Sequence, residues 1–250
     1  MRTLTQVWVF FVSLTVAFLF IGFQFYGRLG LFVSFLASLL LIYITLHKGL
    51  WFFRRHLEFK EILGSDPTGF LNSLNAVKRD YDINVIHLYT TNDAVPPLVW
   101  KDYPKTGFII LHEDLLKHLT EKEKHILVHF LFAHLKVRPT FRPRLFSIFE
   151  FGFLKLQFLL SPFMSLLALM FGSPRFLLKA DLVALANSQV TQLEFGYFLK
   201  KLHDLNFHRA KNLNGAEYFS TLTAAQHTFW KSFGQPSLKR RLVSVMGFLP

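Results

Sequence analysis

The stretch VWVFFVSLTVAFLFIGFQF, Val7 to Phe25, decides the class of fold: it carries no ionisable side chain, and only Ser13, Thr15, Gly22 and Gln24 interrupt its apolar run. At about 1.5 Å per residue, a helix of that length nearly spans a hydrocarbon core of about 30 Å. Leu29 to Leu46 is a second run of apolar or hydroxyl-bearing residues, and Tyr26-Gly27-Arg28 between the two leaves room only for a tight turn. The pattern predicts a transmembrane hairpin. A secretory leader would have a shorter apolar core and a small-residue cleavage site, with no second span following at once.

Outward from the hairpin, Lys48, Arg54, Arg55 and Lys60 crowd the exit of the second run, whereas the turn holds only Arg28. The positive-inside rule then places both ends of the hairpin in the cytoplasm. Trp51, Phe52 and Phe53 beside the two arginines fit an interfacial anchor. Two-span insertion fits a bacterial cytoplasmic (inner) membrane, so the expectation is a multi-pass protein whose N-terminus and main domain are cytoplasmic. A third apolar stretch, Leu145 to Gly172, contains Glu150, Lys155, Gln157 and the helix-disrupting pair Ser161-Pro162. It is long for one span and short for two, which favours a membrane-embedded broken helix or hairpin.

Composition agrees. Of 250 residues, 52% are hydrophobic and 18% charged, with 31 phenylalanines, which excludes a disordered chain. The net charge of +12 calls for an anionic partner. With three apolar segments, that partner is expected to be a lipid bilayer with anionic headgroups, against which cytoplasmic loops such as the one holding Arg138, Arg142 and Arg144 would lie. No recognition helix or RNA-binding motif supports nucleic acid. The absence of cysteine rules out disulfides, thiolate zinc sites and iron–sulfur clusters, leaving only nitrogen and oxygen donors for any metal.

The chain therefore divides into the hairpin and anchor (1–56), a polar unit (57–144), the third apolar segment (145–172) and a helical C-terminal part (173–250). Within the polar unit a helix is predicted around Pro67 to Tyr81, a strand over Ile83 to Tyr89, a second over Gly107 to Leu111, and helix from Asp114 onward. Asn92-Asp93 and Pro96-Pro97 mark loop. Thr120 to Glu123 forms a capping box, so a helix should start there and end before Pro139. Thr191 with Glu194 repeats the pattern ahead of a helix over Phe195 to Leu205. Lys239, Arg240 and Arg241 are expected on a solvated helix face or against lipid.

The helix after Thr120 reads His125-Ile-Leu-Val-His129-Phe130-Leu131-Phe132-Ala133-His134, apolar nearly all round and so buried. His125 and His129 have the spacing of two zinc-binding imidazoles, but Ile126 stands where a catalytic glutamate is needed. His134, five residues on, points about 140° away and cannot close on the same metal from a regular helix. Structural, hydrogen-bonded histidines are the simpler expectation. His203, His208 and His227 suggest no ligand set, and the chain has no P-loop, Rossmann fingerprint or serine-triad motif.

Several of these residues together resemble the HtpX-like membrane zinc metallopeptidases (gluzincin type), relatives of the CaaX prenyl-protein endopeptidases. The hairpin carries Gly27-Arg28-Leu29-Gly30. Leu115-Leu116-Lys117-His118-Leu119-Thr120-Glu121-Lys122-Glu123 is similar to the family's L-L-x-x-L-T-x-x-E. Gln235-Pro236-Ser237-Leu238-Lys239-Arg240-Arg241-Leu242 is similar to its H-P-P-x-x-x-R-I. Continued without a gap, the resemblance sets Phe130-Leu131-Phe132-Ala133-His134-Leu135-Lys136 against H-E-x-x-H-I-K, and Leu177-Leu178-Lys179-Ala180-Asp181 against E-x-x-A-D, the source of the third zinc ligand. It implies a mainly α membrane protein with an HtpX-like metallopeptidase fold, comprising the N-terminal transmembrane hairpin, a small β element and the third hydrophobic segment.

In the family both histidines bind zinc and the glutamate activates water. Here Phe130, Leu131 and Leu177 replace the first histidine, the glutamate and the third ligand, and only His134 and Asp181 remain. The aspartate would orient a ligand imidazole that has become Phe130. Phenylalanine and leucine offer zinc no electron pair, so no cofactor is expected and the inherited site should be a dry apolar contact between two helices. The family's substrate-binding edge strand falls near Val95-Pro96-Pro97-Leu98, where two prolines remove amide donors that an extended peptide would use. The expected function is a catalytically inactive pseudoprotease acting as a binding, regulatory or scaffold protein. Its partner would be a membrane protein, an active homologue or a second copy. Two alternatives are an active zinc endopeptidase in membrane-protein quality control, with rearranged ligands such as His125, His129 and Asp181 or Glu123, and a structural subunit of a membrane assembly.

Overall fold

A computed structural model describes residues 2–44, 59–63, 66, 68–92, 95–102, 105–137, 175–207, 220–222 and 236–248. The described part is mostly helical, with one long apolar N-terminal helix and a small sheet. That helix, α1 (Arg2–Tyr43), is interrupted at Gly27, where φ is 57° and ψ −133°. Side-chain-bearing residues pay a steric penalty there, and glycine does not. On either side of the break Gly22 lies against Gly30 and Ser34, so close that a Cβ at Gly22 would collide with both. In a straight helix residues 22 and 34 would stand about 18 Å apart. The chain therefore doubles back at Gly27, where the sequence predicts the turn. Outside this seam, Val12, Val16, Phe20, Phe25, Leu29 and Phe32 are all more than half exposed. The stretch Phe11–Tyr43 is long and apolar enough to cross a membrane, and a surface of such side chains is stable only against lipid or protein.

Among the described residues the sheet has four strands, β1 (Lys60–Glu61), β2 (Val85–Thr91), β3 (Leu98–Asp102) and β4 (Thr106–His112), in the order β1-β2-β4-β3. β2 and β4 are parallel, with Leu88 opposite Ile109, while β1 and β3 pair antiparallel to β2 and β4. Sequence periodicity finds β2 and β4 but neither outer strand: β1 is too short to show alternation, and β3 follows directly on two prolines. β2 starts two residues later than predicted because Asp82 turns into the left-handed region (φ 59°) to end the preceding helical turn, and Ile83 donates back to Lys78 O at 3.1 Å.

The helix α2 runs Phe70–Val77 and tightens into a 3₁₀ turn over Lys78–Tyr81. The Asp66 carboxylate accepts from the Leu71 N–H at 2.5 Å and the Thr68 N–H at 2.9 Å, which fixes the approach to that start. Leu115–His118 is a separate 3₁₀ turn, not the beginning of one long helix, because Leu119 is extended (φ −105°, ψ 137°). α3 (Glu121–Val137) then opens on the predicted capping box: Thr120 N–H donates to Glu123 Oε2 at 2.8 Å and Glu123 N–H to Thr120 Oγ1 at 3.3 Å. The same reciprocal pair, Thr191 and Glu194, opens α5 (Gln192–Phe207) after α4 (Arg175–Ser188). α6 is Leu238–Met246, capped by Ser237 at its start and Gly247 at its end.

Every residue of α3 from Ile126 to Leu135 is buried, as its all-round apolar character predicts. One core joins this helix to Leu88, Val99, Ile109 and Leu111 of the sheet, Phe70 and Leu74 of α2, Ala184 of α4, Phe195 and Phe198 of α5, and Leu242 and Val245 of α6. Elements on both sides of residues 138–174 thus share one apolar interior. The interfacial anchor at 51–55, the arginine cluster at 138–144, the third apolar segment at 145–172, and His208 and His227 lie outside the described residues.

Candidate functional site between two buried helices

α3 packs along α4, and the positions that the resemblance singles out lie buried on these two helices. Phe130, Leu131 and His134 from α3, and Leu177 and Asp181 from α4, are each no more than 1% exposed. His134 Nε2 stands 3.6 Å from Asp181 Oδ1. The Phe130 and His134 rings, one helical turn apart, have centroids 4.5 Å apart, and Phe195 and Phe198 of α5 close over Phe130 from the other side.

A residue expected at the surface completes the group. Lys239 and Arg240 are exposed as predicted, but Arg241 is 1% exposed. Its Nε and Nη2 donate to the two Asp181 carboxylate oxygens at 2.7 and 2.6 Å, and its Nη1 donates to the Thr221 carbonyl at 2.9 Å. The guanidinium also lies 5.8 Å from the Phe130 ring centroid, within cation–π range. The contact is therefore not the purely apolar one that the sequence predicts, because a bidentate buried ion pair sits against it. Arg241 shares a face of α6 with Leu242, Val245 and Met246. A basic residue on the apolar face of a helix was the available sign that it is buried and paired.

Burial alone would raise the Asp181 carboxyl, but the charge and hydrogen bonds of Arg241, with a lesser contribution from His134, hold it below the usual carboxylate value. The carboxylate is thus committed to Arg241 and His134 rather than to a metal. Phe130, Leu131 and Leu177 contribute no donor atom, so the residues at these positions do not fit zinc.

His125 and His129 belong to a different part of α3's surroundings. Their rings meet edge to face with centroids 4.7 Å apart. His129 Nδ1 lies 2.9 Å from the Tyr81 hydroxyl, a hydrogen bond whose direction follows the imidazole tautomer, and burial raises the phenol's pKa so that it keeps its proton. The structure does not bring these two histidines together with Asp181, and Glu123 is engaged with Lys201 at 2.7 and 2.8 Å. Among the described residues no three His, Asp or Glu side chains converge so as to hold a metal ion.

Burial, reinforced by the charge of His125, lowers the His129 pKa below its ordinary 6.5. Below about pH 6.5 the unfolded chain therefore binds the proton more readily than the folded one, and folding stability falls as pH drops. His129→Asn, whose amide keeps a hydrogen-bonding group for Tyr81 but cannot titrate, should flatten that decline. Denaturant midpoints measured from about pH 8 down to about pH 5 would check it.

No protein-family model matches the chain, and comparison with curated proteins and with solved structures yields no match.

Proposed function

We propose that this chain is a catalytically inactive, HtpX-like pseudoprotease of a bacterial cytoplasmic membrane that works by binding rather than cleavage. In this reading the α1 hairpin crosses the membrane twice, both its ends and the folded domain are cytoplasmic, and basic loops rest on anionic headgroups. The partner is a membrane protein, either an active homologue or a second copy. The observation that carries the reading is the complete burial of Phe130, Leu131 and Leu177 at the positions where the resemblance calls for two ligands and a general base. One imidazole, His134, cannot replace three ligands, and without a metal a water molecule keeps its pKa near 15.7 rather than about 7.

The experiment is zinc analysis of the detergent-purified chain, before and after chelation, beside a Phe130→His, Leu131→Glu, Leu177→Glu variant produced with zinc. The parent should carry none and the variant about one per chain, the stoichiometry of a structural or catalytic site. Stoichiometric zinc in the parent would overturn the reading in favour of an active enzyme. Crosslinking in native membranes before purification should recover a second membrane protein or a dimer, and a chain always recovered alone would refute the binding role.

A further inference from the structure

Among the described residues β3 is the last strand in the sheet order, and an outer strand normally presents open backbone donors and acceptors to any extended chain. The leading end of this one is already taken. Leu98 forms an antiparallel bridge with Ser220. The Thr221 N–H donates to Pro97 O at 2.9 Å, and the Thr221 hydroxyl donates to the same oxygen at 3.0 Å. Ser220 Oγ donates to Leu222 O at 2.8 Å and accepts from Leu222 N at 3.0 Å, which folds the three residues into a compact unit. Ser220, Thr221 and Leu222 are all less than 5% exposed.

The unit is also tied from behind. The Thr221 carbonyl accepts from Arg241, whose remaining donors grip Asp181. One guanidinium therefore joins α4, α6 and the residues seated on the β3 edge. A guanidinium stays charged at any physiological pH and presents its donors in a rigid fork, which a lysine cannot reproduce.

We propose that Ser220–Leu222 is a built-in occupant that closes the leading end of the β3 edge to strand addition by another chain, and that the Arg241–Asp181 pair is its latch. The inference goes beyond the pseudoprotease reading and stands whether or not the chain descends from a peptidase. The edge belongs to the class of surfaces that take extended peptides through main-chain hydrogen bonds, and its occupant here is the chain itself.

The test adds a fluorescent synthetic peptide, EYFSTLT, copied from residues 217–223, to the full-length chain in detergent. The parent should not bind it. Arg241→Lys should bind it saturably, and exchange of the Thr221 and Leu222 amides with deuterium should be at least tenfold faster than in the parent while α3 amides stay protected. Because the chain has no cysteine, a Leu98→Cys, Ser220→Cys pair added to Arg241→Lys can be oxidised to lock the bridge. Binding should then vanish and return on reduction. Equal binding to parent and Arg241→Lys, or no binding to an Arg241→Lys chain whose α3 remains protected, overturns the proposal. If Arg241→Lys loses α3 protection, Thr221→Val, which leaves the ion pair untouched, takes its place, and failure of that variant to bind the peptide overturns the proposal equally.

Discussion

Replacing Arg241 by methionine should cost about 4 kcal/mol of folding stability, whereas replacing Arg241 and Asp181 together, by methionine and leucine, should recover most of that loss. The pair is almost completely removed from solvent, with two hydrogen bonds at 2.6 and 2.7 Å. Deleting one partner strands a buried carboxylate, which typically costs about 3–5 kcal/mol, while swapping both for apolar groups of similar volume is often neutral or stabilising. The two single changes should therefore be strongly non-additive. Denaturant midpoints of the two single variants and the double variant in one detergent would measure the coupling, and additive losses would show that the carboxylate finds other support. The pair also carries a pH signature. Because Asp181 titrates below its ordinary 3.8, its contribution is fully present above that value and is lost as pH falls through the lower folded-state value.

Phe130→Ala should destabilise by about 3–5 kcal/mol, the range for truncating a fully buried aromatic ring. The side chain is 0% exposed and touches both aromatic and cationic neighbours: His134 one turn below, Phe195 and Phe198 across α5, and Arg241 over its face. Truncation removes the apolar burial and leaves a cavity beside the buried ion pair. Phe130→Leu keeps most of the volume and should cost clearly less. Thermal unfolding of the two variants beside the parent would rank them. If both cost under about 1 kcal/mol, the ring is not the packing element that its neighbours indicate.

These expectations rest on features that the sequence displays unevenly. α3 is legible almost to the residue, because Thr120 and Glu123 declare its start and a dense apolar run declares its burial. The reversal at Gly27 is equally plain, since two apolar runs separated by three residues can only fold back. The outer strands are not legible: β1 is too short for a period, and Pro96-Pro97 disguises the approach to β3. At the candidate site, the resemblance named Phe130, Leu131, His134, Leu177 and Asp181 from segments more than forty residues apart, and the fold buries all five and sets His134 beside Asp181. It missed the ion pair. In a run of Lys239-Arg240-Arg241 the three cations look alike, and only the helical phase relative to Leu242 and Val245 separates the buried one from its exposed neighbours. Thr221 carried no local sign at all, because its role depends on a backbone carbonyl and on a strand more than one hundred residues earlier.

The core that joins α3 to α4, α5 and α6 also sets a schedule for synthesis. At roughly 5–20 residues per second, the ribosome needs about 5 to 20 s to pass from the end of α3 to Leu242. During that interval the apolar belt from Ile126 to Leu135 already exists while the helices that cover it are still being made, α4 first, then α5, then α6. The belt thus spends seconds incompletely covered, and the last of the described helices to be made is the one that brings Arg241 to Asp181.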